Sequence, residues 1–178
     1  MTLTFKTATL AAMTLVLTAG LAGTAGAQDA SLTPRFGEVD LEAGFSPDPF
    51  RRNVTAGGRT DASDQGGECV GMITEEPTFR LNYEAGGIPL YVYVYADADA
   101  TLVINEPNGT WDCNDDGTGS GGTNPGIRFR HPTTGQYDIW VGSLSGGRPS
   151  AARLVITEIE GNPAPRPARP PRRGGHRR

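Results

Sequence analysis

Leu90-Tyr91-Val92-Tyr93-Val94-Tyr95 alternates aliphatic and aromatic residues with a period of two. Successive side chains of a strand point to opposite faces, so the hexapeptide predicts a β-strand. Its aliphatic residues share one face and its three tyrosines the other. Reading outward, Phe79, Leu81 and Tyr83 alternate with Arg80 and Asn82, while Tyr137, Ile139 and Val141 alternate with Asp138 and Trp140. Leu154, Val155, Ile156, Thr157 and Ile159 suit a pleated closing strand. Residues 36–41, 51–56, 69–73, 101–105 and 127–130 are further strand candidates. Gly-, Asn- and Pro-rich turns separate these runs, among them Pro107-Asn108-Gly109 and Ser145-Gly146-Gly147. No stretch sustains a helical period beyond the N-terminal segment. The expected fold is all-β, an antiparallel β-sandwich or jelly roll of about nine short strands.

The N-terminal segment has its own character. Lys6 precedes the apolar run 8–22, and Ala25-Gly26-Ala27 supplies a small-x-small cleavage pattern. The apolar run is shorter than the ~20 residues that span a bilayer, so 1–27 is read as a signal peptide. That predicts a periplasmic or secreted protein, not transmembrane after cleavage. Residues 162–178 (NPAPRPARPPRRGGHRR) hold six Arg and five Pro, with no aliphatic residue larger than Ala. Such a segment cannot offset its ordering entropy by burial and is expected to be a disordered, PPII-leaning tail. It is either a solvated tail or an arm for envelope polyanions.

Between these ends, 28–161 has the length of a single domain. All 20 acids fall there against nine arginines, a net charge of −11. A folded body of that sign argues against a nucleic-acid partner.

The chain has two cysteines, Cys69 and Cys113. In an oxidising compartment an even count favours a disulfide, and a loop of this length would stabilise by roughly 4 kcal/mol. The alternative, a redox or metal thiol pair, lacks both C-x-x-C spacing and a nearby His.

Two groups are candidate sites. Asp112, Asn114, Asp116 and Gly117 match the first half of a calcium loop, in which alternate oxygen side chains converge on a hard cation. The twelfth position is Thr123 instead of Glu, so calcium would need completion by Asp97, Asp99 and Asp115. The same residues also make turns without metal. Tyr91, Tyr93 and Tyr95, with Trp111, could form a stacking face for sugars or peptides, or could simply cover the sheet. Trp140 could sit in the core or in a groove.

The order of Cys69-Val-Gly-Met-Ile, Pro77-Thr-Phe-Arg-Leu-Asn-Tyr, Asp99-Ala-Thr-Leu-Val-Ile-Asn, Pro107-Asn-Gly-Thr-Trp-Asp-Cys-Asn-Asp-Asp and Gly135-Gln-Tyr-Asp-Ile-Trp-Val-Gly resembles the pre-peptidase C-terminal domains of secreted bacterial proteases. The resemblance spans about residues 36–160. It implies a jelly-roll sandwich, often with calcium, with Asp99, Asp115 and Asp116 as the acids and Cys69–Cys113 as the bridge. The chain departs from that pattern in carrying no attached protease.

Enzymatic machinery is sparse. His131 and His176 are the two histidines, and neither a G-D-S-G-G nor a G-x-S-x-G nucleophile turn occurs. The expectation is an exported, non-catalytic binding or structural domain, calcium-stabilised through the acidic loop. The alternatives are a substrate- or surface-binding accessory of a secreted trypsin-like peptidase system and a hydrolase.

Overall fold

The computed structural model describes residues 28–66, 69–117 and 124–161. Residues 1–27, expected to be a signal peptide, and the Pro/Arg segment 162–178, expected to be a disordered tail, lie outside them.

Eleven strands form among the described residues: β1 (Glu38–Glu42), β2 (Phe50–Ala56), β3 (Thr60–Asp61), β4 (Met72–Ile73), β5 (Phe79–Glu84), β6 (Leu90–Ala96), β7 (Ala100–Asn105), β8 (Trp111–Asn114), β9 (Gly126–Phe129), β10 (Gly135–Ser143) and β11 (Ser150–Thr157). They divide into a seven-stranded and a four-stranded sheet. In the larger sheet β10 is central. Its first half pairs with β5 and its last residue with β4, while β7 runs along its other side. The smaller sheet has the order β2-β11-β6-β9.

One buried cluster joins the two sheets. Leu90, Val92 and Val94 of β6 and Leu154 and Ile156 of β11 pack with Phe79, Leu81, Leu102, Ile104, Ile139 and Val141 of the facing sheet. This is a β-sandwich, and the alternation predicted for 90–95 is what supplies its inner face. Burial of these side chains, each worth roughly 1.5–3 kcal/mol, is the main stabilising contribution.

Three details differ from the expectation. First, β1 runs parallel to β5, with Val39 abreast of Leu81, so the sandwich is not purely antiparallel. Between β1 and β5 the chain crosses to the smaller sheet and back, which lets it re-enter in the same direction. Second, Trp111–Asn114 is a strand rather than a loop. The Pro107-Asn108-Gly109 turn closes through a hydrogen bond from Gly109 N–H to Glu106 C=O (2.8 Å), which sets Cys113 abreast of Val103. Third, the strand expected over 69–73 shrinks to its last two residues, and Cys69 instead bonds Cys113 in a disulfide.

That disulfide lies on the outside of the larger sheet. Its two Cα atoms are 5.0 Å apart. Cys69 belongs to a second buried cluster with Ala62, Ile73, Val103 and Trp140, against which Trp111 and Cys113 pack. Trp140 is fully buried, with its ring 5.3 Å from that of Trp111. The question of core or groove is thereby decided for core, but for the small outer one.

Candidate functional site

The outer face of the smaller sheet carries the tyrosine row. Tyr91, Tyr93 and Tyr95 alternate with the core residues of β6, so they must face away from the facing sheet. Pairing places Val155 and Arg51 abreast of Tyr93, and Arg153 and Asn53 abreast of Tyr95. The Tyr91 and Tyr93 rings stack with centroids 6.0 Å apart and planes within 11°. Both are buried (4% and 8% exposed), whereas Tyr95 is partly open. Desolvation raises the hydroxyl pKa of both Tyr93 and Tyr95.

Part of the cover comes from residues beyond β11. Arg128 of β9 lies over the Tyr91 ring at 5.3 Å and pairs with Glu160 at 3.1 Å. The Gly161 backbone N–H lies against the Tyr93 hydroxyl and partly offsets the desolvation of that group.

Beside Tyr95 the face opens into a recess of about 320 Å³ lined by Asn53, Val54, Tyr95, Asp97, Ala151, Ala152 and Arg153. The hollow has a simple origin. Outward-facing Ala151 stands one row beyond Arg153 and is abreast of Thr55, so a small side chain occupies the middle of the sheet where its neighbours are larger. An aromatic wall, an alanine floor and opposite charges at the rim are what a small binding site requires.

Trp111, grouped with the tyrosines on sequence grounds, is not part of this face. It sits on β8 and packs on Trp140 at the outside of the opposite sheet. Nearness in sequence misleads here because the chain crosses between sheets after β6.

In the acidic hairpin two asparagines accept backbone hydrogen bonds. Asn114 Oδ1 accepts the Gly126 N–H (3.0 Å), and Asn124 Oδ1 accepts the Ala96 N–H (2.9 Å). Asp112 turns toward Glu106, whose pKa is pushed up to about 7, first by burial and then by the hydrogen bond and repulsion from Asp112. Asp97 and Asp116 are exposed and Asp99 and Asp115 half-buried. Among the described residues no three His, Cys, Asp or Glu side chains form a group that could hold a metal. Glu106 was missed by sequence reasoning; its position facing Asp112 across a Pro-Asn-Gly turn was the available signal.

A second, open groove of about 510 Å³ runs over β1, β5 and β10, lined by Asp40, Glu42, Asn82, Glu84, Thr134 and Gln136 among others. Its charges are all of one sign, and Asp40 already accepts from Asn82 Nδ2 at 2.8 Å. The exposed His131 lies just beyond β9.

No family model matches the chain, and no curated protein matches it. Among solved structures it is similar to a periplasmic inhibitor of g-type lysozyme from Aeromonas hydrophila, at 12% identity and a TM-score of 0.37, over 67% of this chain and 96% of that one. It is also similar to the pre-peptidase C-terminal domain of collagenase from Bacillus anthracis, at 11% identity and a TM-score of 0.38, over 67% and 92%. The latter is a domain of the kind its ordered motifs resemble. At these scores neither likeness bears on what the chain binds. No helix among the described residues is long and apolar enough to cross a membrane.

Proposed function

We propose that this chain is an exported, non-catalytic binding domain that takes an extended peptide on the outer face of the β2-β11-β6-β9 sheet. The observation that carries the reading is the recess beside Tyr95, with its aromatic wall and the opposed charges of Asp97 and Arg153. A peptide offers backbone amides, side chains of both signs and ring faces for stacking, all of which this lining can meet. The Cys69–Cys113 disulfide and the signal-peptide pattern support export.

The test is titration of the mature protein with a Pro- and Arg-containing decapeptide, and in parallel with a chitin oligomer, followed by calorimetry. Tyr95→Ala is expected to weaken peptide binding by about tenfold, the loss typical of an aromatic contact at an interface. Asn82→Ala, on the opposite outer face, should leave it unchanged. Equal peptide affinity in wild type, Tyr95→Ala and Arg153→Ala would overturn the reading, and selective retention of the oligosaccharide would replace it with a glycan site.

A further inference from the structure

We infer that the open edge of β1 takes a strand of a cationic partner protein, paired antiparallel along Glu38–Glu42, in which Lys or Arg alternates with apolar residues. The surface belongs to the larger sheet and is separate from the Tyr95 recess.

The backbone carries the first part of the argument. β1 ends the order β1-β5-β10-β4-β3, and among the described residues it pairs on one side, with β5. Arg80 N–H donates to Gly37 C=O (3.2 Å) and Ala43 N–H to Glu84 C=O (2.9 Å). Gly37 and Ala43 therefore turn their backbone groups toward β5. Residues two apart on a strand share that direction, so Val39 and Leu41 do the same. The N–H and C=O groups of Glu38, Asp40 and Glu42 point the other way, out of the sheet edge. All three residues are exposed. A row of outward donors and acceptors is a template for a further strand.

The side chains select what fits. Glu38, Asp40 and Glu42 share the outer face, abreast of Arg80, Asn82 and Glu84 of β5. Among the described residues Glu38, Asp40, Glu42 and Glu84 stand in no ion pair, and Arg80 is committed to Asp138. A second copy of β1 would set acid directly against acid across the pair, which destabilises. Basic residues in those places meet opposite charge instead. In an antiparallel pair the residue facing Asp40 exchanges both backbone bonds with it and lies on the same face. The basic residues of the partner therefore recur at every second position. On the inner face Val39 and Leu41 are half-buried and pack against the main core. Apolar residues between the basic ones extend that layer. The groove of about 510 Å³ along Asp40, Glu42, Asn82 and Glu84 gives the basic side chains room to lie across β5.

The experiment is amide hydrogen exchange by NMR on the mature chain, disulfide intact, with the capped heptapeptide Thr-Lys-Val-Lys-Val-Lys-Thr as probe. Exchange at Asp40 and Glu42 is expected to slow by about tenfold in excess peptide. Val39 and Leu41, whose N–H groups already serve β5, should change little. Methylating the backbone nitrogen of the central Lys keeps its charge but removes its donor, and should abolish the protection. The same methyl on a Val nitrogen, which points away from β1, should leave it. By calorimetry Asp40→Lys should weaken binding by about tenfold, and Glu at the centre of the peptide should restore it. Tyr95→Ala should alter none of these values. Equal binding of the two methylated peptides would overturn the inference, because charge attraction alone would then explain it. Unchanged exchange at Asp40 and Glu42 would also overturn it, leaving the acids as guards of the edge. So would protection that grows with protein concentration in the absence of peptide, since β1 would then pair with a second copy.

Discussion

Asp112 of β8 stands abreast of Ile104, which sets its carboxyl beside that of Glu106 across the β7–β8 hairpin. Burial first, and then the hydrogen bond and repulsion from Asp112, push the Glu106 pKa up to about 7 from its ordinary 4.5. The sign of the consequence follows from linkage. A folded-state pKa above the unfolded one means that the native protein binds the proton more tightly, so the stabilisation is full below pH 4.5 and is lost as pH rises to about 7. Glu106→Gln should remove this pH dependence and leave the protein about 1 kcal/mol more stable than wild type at pH 8, after allowance for solvent screening. Urea denaturation at pH 5 and pH 8 measures both effects. Identical slopes of stability against pH in the two proteins would contradict the pairing.

Arg80 and Asp138 form the least exposed ion pair among the described residues, Nε to Oδ1 at 2.7 Å. The guanidinium also donates to the carbonyls of Ala30 (2.6 Å) and Leu32 (3.2 Å), which pins the N-terminal segment over the larger sheet. Arg80→Met leaves the Asp138 carboxylate buried with Gln136 as its remaining side-chain partner, and should cost about 3 kcal/mol. Arg80→Met/Asp138→Leu should recover most of that, because a buried pair stabilises little relative to apolar packing. A double-mutant cycle by denaturant titration decides the point.

Gly142 is the second-last residue of β10, where β4 and β7 both press against it. A Cβ there would stand 2.5 Å from Thr101 Cγ2 and 2.9 Å from the Met72 carbonyl. Neighbours on both sides belong to paired strands and have no room to retreat, so Gly142→Ala should destabilise by about 1–3 kcal/mol. The measurement is again the denaturant midpoint. A loss below 0.5 kcal/mol would mean that the β4 edge moves freely.

Calcium in excess, compared with chelator, is expected to shift the thermal midpoint by less than about 2 °C, far below what preferential binding at many times Kd produces. The reason is that Asn114 is committed to Gly126 and Asp112 to Glu106. A larger upward shift would show that the hairpin and the loop beyond it rearrange around the ion.

Much of the fold was legible because strand alternation is local. The two-residue period of 79–83, 90–95 and 137–141 already sorted core residues from outward ones, and the structure agrees at every one of these positions. Even so, Thr60–Asp61 escaped notice, since a two-residue strand has no period to read. Trp111–Asn114 was hidden for another reason: Asp and Asn favour turns on their own, and only pairing with β7 makes them a strand.

The sites were much less legible. That three tyrosines share one face follows from their spacing. That two of them are covered while Tyr95 borders a recess depends on Ala151, Arg153 and Asn53, which arrive from strands distant in sequence. The separation of Trp111 from those tyrosines, its contact with Trp140 and the meeting of Glu106 with Asp112 are likewise matters of lateral pairing and of which sheet a strand joins. By itself the sequence determined which side of each long strand faces inward, the charge of the body and the two sulfurs available to bond. Tertiary structure alone decided which outward side chains become neighbours. Side-chain direction along a strand is set by backbone geometry one residue at a time, whereas lateral neighbours are set by contacts between segments tens of residues apart.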